Sequence, residues 1–119
     1  MSEDVVVFAT EDSIHVVFYI EHDNVMRIGE QMQEICEDAY MNGYNWDAFL
    51  QCWLSEHAPE LLEGLDSDPE AGMYAAYYAP DPRNREKAEA LAAAISEMLA
   101  DEEEIYSFLR AHQDGIEWD

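Results

Sequence analysis

Carboxylates dominate the side chains that could do chemistry in this sequence, and their tightest run is Asp66-Ser67-Asp68-Pro69-Glu70, with acids at alternating positions. Alternating oxygens around a tight turn suit a hard cation. An EF-hand loop also demands Gly at its sixth position and a bidentate Glu at its twelfth, where this chain has Ala71 and Tyr77. The segment therefore reads as a hairpin turn in which Asp68 bonds nearby backbone amides. His15, His22, His57 and His112 show neither H-x-x-x-H nor H-E-x-x-H spacing, so no zinc site is written locally. The five glycines form no phosphate-cradling loop, and no serine elbow occurs. Among 28 acidic residues any two fall close by chance, so paired carboxylates carry no hydrolase signal. No enzyme, metal or cofactor is expected.

Charge points instead to a partner. The formal net charge is -23, and no Lys or Arg lies between Arg27 and Arg83. Such a field repels nucleic acid and anionic membranes and draws basic proteins into fast, salt-sensitive association. Acidity also serves solubility alone in many chains. A disordered acidic tail is poor in aromatics, whereas 49% of these residues are hydrophobic, with seven Tyr, four Phe and three Trp, so a packed core is expected. At 119 residues the chain fits one domain spanning 1–119. It opens on Glu3 and Asp4 where a leader would carry basic residues, and no apolar run approaches a membrane span, so a cytoplasmic location is expected. Cys36 and Cys52 sit inside apolar helical patterns as free thiols.

The elements that must position these groups follow from periodicity. Val5–Thr10 and Ser13–Glu21 are rich in β-branched and aromatic residues on either side of Glu11-Asp12, which gives a hairpin. Val25, Ile28, Met32, Ile35 and Ala39 recur at helical spacing behind a cap at Asp23 or Asn24, leaving Glu30, Glu34, Glu37 and Asp38 off the apolar stripe. Gly43 suits the left-handed residue that closes this helix, and Asn45 the cap of the next, Trp46–His57, with Phe49, Leu50, Trp53 and Leu54 inward. Leu61–Ser67 and Met73–Ala79 read as strands around the Asp68–Gly72 turn. Asp81-Pro82 opens a third helix and Asp101 caps a fourth. The order ββααββαα predicts an α+β two-layer sandwich: a four-stranded, mainly antiparallel sheet with helices on one face and its other face open. Ile14, Val16, Phe18, Ile28, Ile35, Phe49, Trp53, Leu91, Ile95 and Phe108 should form the core.

Two blocks stand out within this frame, Asn42-Gly43-Tyr44-Asn45-Trp46-Asp47 and Asp68-Pro69-Glu70-Ala71-Gly72-Met73-Tyr74, with Pro59-Glu60-Leu61 between them and Ala76-Tyr77 after. In that order they resemble the immunity protein 51 family, cytoplasmic antidotes encoded beside polymorphic toxins in bacteria. The likeness runs from about Met41 to the C-terminus. Asn45 stands where the pattern usually has Asp, Tyr74 where it has Phe, and Ser67 where a Phe commonly precedes Asp-Pro-Glu. The resemblance implies a protein that binds and neutralises a cognate toxin domain and catalyses nothing. The charge adds that the toxin should be basic. Glu34, Glu37, Asp38, Asp68, Glu70, Tyr77 and Tyr78 are the candidate toxin-binding residues, since exposed tyrosine beside carboxylates suits a protein-binding patch. The rival is an acidic nucleic-acid mimic that blocks DNA-binding proteins, which would bind several unrelated basic proteins instead of one.

Overall fold

A computed structural model describes residues 4–119. Strands β1 (Val5–Ala9) and β2 (Ile14–Tyr19) are followed by helices α1 (Asp23–Ile35) and α2 (Gly43–His57), then by β3 (Asp66–Ser67), β4 (Met73–Tyr78), α3 (Pro82–Ala100) and α4 (Glu102–His112). The sheet order is β1-β2-β4-β3 with every pairing antiparallel. This is the predicted α+β order, built on a single sheet.

Alternation along the strands gives the sheet two unlike faces. Ile14, Val16 and Phe18 of β2 join Tyr74, Ala76 and Tyr78 of β4 in one continuous core with the helices. α3 lies against β1, β2 and β4, α2 lies against β4, and α1 and α4 pack on each other and on α3. On the opposite face, Val6 and Phe8 are exposed beside His15, Val17, Tyr19, Met73, Ala75 and Tyr77. The aromatic centre of the core is Trp46, whose ring meets Phe18 and Phe49 edge-on at 5.4 and 6.0 Å. Edge-to-face crossings place the positive rim of one ring on the negative face of the other.

Nine of the ten predicted core residues are buried, and Ile35 is half-buried because α1 ends on it. Several local expectations are corrected. α1 stops four residues before Ala39, and its N-cap is His22, which makes no side-chain cap bond. Asn24 instead donates to Leu99 O and accepts from Arg27. α2 begins three residues earlier than periodicity suggested, capped by Asn42, whose Oδ1 accepts from Asn45 N at 2.9 Å. Gly43 is thus the first residue of α2 and carries no positive φ; the left-handed glycine is Gly64, at φ 75. It falls where a strand was expected, and Leu61–Ser67 instead holds the end of a 3-10 turn (Pro59–Leu62), Gly64 and the two-residue β3. Asp101 starts α4 without a side-chain cap bond.

Candidate functional site

The two sequence blocks meet in space. Gly43 N donates to Ala71 O at 3.1 Å, and a Cβ on Gly43 would lie 1.8 Å from Glu70 O and 2.1 Å from Met73 O. Only glycine lets the start of α2 sit on the β3–β4 turn this closely. The turn is held by bonds in both directions between Glu70 and Met73 and by Asp68 N donating to Ala75 O. It is therefore the backbone amide of Asp68 that is bonded there. Ser67, at the position where the family pattern has Phe, donates its hydroxyl to Asp47 Oδ2 at 3.2 Å and ties the blocks together a second time. Burial pushes the Asp47 carboxyl above its ordinary pKa, against hydrogen bonds from Gln51 and Ser67 that lower it.

Asn45 carries the next layer and was misread from sequence. It is 3% exposed, donates through Nδ2 to Tyr40 O at 2.8 Å and accepts at Oδ1 from Asp119 N at 2.7 Å. One buried amide thereby clamps the α1–α2 loop and the C-terminal segment, which packs Ile116 into the core. Only the pairing of a donor and an acceptor on one side chain does this. An aspartate would leave Tyr40 O unbonded, and no periodicity in the sequence signals that role.

The candidate binding residues divide. Glu34, Glu37, Asp38, Asp68 and Glu70 are exposed. Glu37 and Asp38 lie in the turn after α1, one step beyond the helix face on which they were expected. Among the described residues none of these five has a cation within ion-pair distance. Arg27 pairs with Glu102, Arg85 with Glu89, and Lys87 Nζ donates to Glu63 O. Tyr77 is half-buried on the open sheet face, its ring 5.8 Å from that of His15. Tyr78 is corrected: it is fully buried, and its hydroxyl donates to Leu61 O at 2.6 Å. Strand alternation turns it inward beside Tyr74 and Ala76, and burial pushes its pKa up to about 12.

The immunity protein 51 family model matches residues 5–114, nearly the whole described chain. The chain belongs to the immunity protein 51 family. The match extends through β1, β2 and α1, which the motif blocks do not reach. No curated protein and no solved structure matches the chain.

Within this family member, sequence reasoning missed two exposed surfaces. Met26 and Tyr40, 43% and 65% exposed, stand at a groove of about 270 Å³ between α1, the α1–α2 loop and Ala71 of the turn. A wider cleft of about 720 Å³, of mixed polarity, runs along α2 past Asp47 and Gln51 to the C-terminal segment. Among the described residues no three His, Cys, Asp or Glu side chains are placed to hold a metal ion, and no helix is long and apolar enough to cross a membrane.

Proposed function

We propose that this immunity protein binds and neutralises a cognate bacterial toxin domain by direct contact, without catalysis, in the cytoplasm where the toxin would act. Family membership supports an immunity role, and one observation carries the mode of binding: Glu34, Glu37, Asp38, Asp68 and Glu70 are exposed and, among the described residues, have no ion-pair partner, in a chain of net charge -23. Unpaired surface carboxylates steer a basic partner into place and lose little desolvation energy until it arrives. The partner is thus a basic toxin domain. Tyr77 supplies ring surface on which a cationic side chain lays its stem.

Co-expression with the toxin encoded beside it tests this. The wild-type chain restores growth, and Glu34→Lys, Glu37→Lys and Asp38→Lys together weaken the complex about tenfold or more while the fold is kept. All three are exposed, so the fold should persist, and circular dichroism checks it. Wild-type binding to several unrelated DNA-binding proteins, as tight as to the toxin, would replace the antidote with the nucleic-acid mimic.

A further inference from the structure

The groove beside α1 joins the two acidic regions of the candidate site. Its lining includes Ile20, Met26, Gly29 and Met41, and Glu30 and Gln33 stand along it. Ile20 is fixed there because its amide donates to Gly72 O at 3.0 Å, at the tip of the β3–β4 turn. Gly29 is buried with Met41 at its back: a Cβ would come within 3.0 Å of Met41 Cβ, so the helix and the loop approach closely and form the floor. Glu34 follows Glu30 by one helical turn, and a second depression is shared by Glu30, Gln33 and Glu34. Like charges at this spacing repel along one helix edge, and a cation placed between them removes the repulsion. Among the described residues neither glutamate has an internal cation.

The shape and chemistry select the occupant. At about 270 Å³ the groove falls just under the range of about 300–1,000 Å³ of small-molecule pockets, and its apolar floor with an acidic edge matches a long side chain that is greasy along its stem and charged at its tip. A second copy of this chain would bring another -23 charges, and nucleic acid or an anionic membrane is repelled for the same reason.

We propose that the groove is the anchor site for an arginine or lysine side chain of the basic toxin, its stem on Met26, Ile20 and Met41 and its cationic head at Glu30 and Glu34. This rests on the antidote reading and goes beyond it by naming the pocket and the side chain that fills it. Tyr40, the most exposed large apolar residue, lies over the stem as the groove's outer wall.

Isothermal titration calorimetry against the neighbouring toxin domain, in an inactive form, separates this from the parent proposal. Met26→Lys puts a fixed cation in the groove, and Glu30→Gln with Glu34→Gln removes the charge at its edge. Each should weaken binding about tenfold or more, as loss of an interface anchor does. Val6→Thr with Phe8→Ala, both exposed on the open sheet face and given no part in binding, should leave the groove's contribution intact and change affinity less than about threefold. All these positions are exposed or half-buried, and unchanged melting temperatures confirm the fold. Wild-type affinity in both groove variants overturns the anchor while leaving the antidote intact. No binding by the wild-type chain overturns the antidote itself and the anchor with it.

Discussion

The junction where Gly43 meets the Glu70–Met73 turn and the acidic surface around the end of α1 lie side by side, yet they are built on opposite rules. At the junction Gly43 N bonds Ala71 O and Glu70 and Met73 bond each other in both directions, the chains touch with no room for a methyl group, and Asn45 uses both ends of its amide inside. At the surface, Glu30, Glu34, Glu37 and Asp38 face solvent with no internal cation among the described residues. Gly43 and Asn45 of the first motif block thus serve packing, whereas of the acids proposed to meet a partner Glu30, Glu34, Glu37 and Asp38 lie outside both blocks and only Asp68 and Glu70 lie within the second. A conspicuous pattern in a small binding protein can mark where the chain packs on itself instead of where it binds.

The sharpest way to break this contrast is a methyl group at the junction. Gly43→Ala should destabilise the protein by about 3 kcal/mol or more, because the atoms it strikes are main-chain carbonyls that cannot rotate away. Gly72→Ala, in the second motif block, meets nothing within 4 Å and should change stability by less than about 1 kcal/mol. Denaturant melts of the two variants check this. Equal costs would mean that the close approach is not what fixes glycine at position 43.

Tyr78→Phe sharpens the same contrast from within β4. It removes one buried hydrogen bond and leaves Leu61 O without its partner, which should cost about 1–2 kcal/mol. Toxin affinity should stay unchanged, since the ring faces the core. A loss of affinity without a loss of stability would return Tyr78 to the binding surface.

The smallest effect concerns Asp47, the half-buried carboxylate between the blocks. Burial raises its folded-state pKa, so between the unfolded and folded values the folded protein holds a proton that the unfolded chain has released. Its favourable contribution is complete below the unfolded pKa, near 3.9, and is lost as pH rises through the folded value. Mild acidification from neutral pH should therefore raise the melting temperature slightly, and Asp47→Asn should remove that part of the rise. An identical pH profile in the variant would show that other carboxylates set it.

The sequence revealed element order and core because both depend on periodicity: apolar residues at strand and helix spacing in β2, α2 and α3 face inward as their pattern demands. It misplaced what depends on contacts between distant segments. Gly43 looked like a helix stop because glycine commonly ends helices, whereas its role is set by a turn nearly thirty residues on. Asn45 looked like a cap because its side chain suits one, whereas it bridges Tyr40 and Asp119. The inward turn of Tyr78 is not legible in the sequence because the register of β4 cannot be fixed without knowing which face the helices cover. In the candidate site the acids were legible from composition, but the groove between them was not, because Met26 and Tyr40 become neighbours of Ala71 only in the folded chain.

The association rate of the wild-type chain with its neighbouring toxin, followed by stopped flow as ionic strength is raised, tests the central claim most directly. If unpaired surface carboxylates guide a basic toxin, the rate should fall about tenfold or more between about 0.05 M and about 0.5 M salt, as the screening length shrinks below the size of the patch. A rate that stays level across that range would contradict an electrostatically steered antidote.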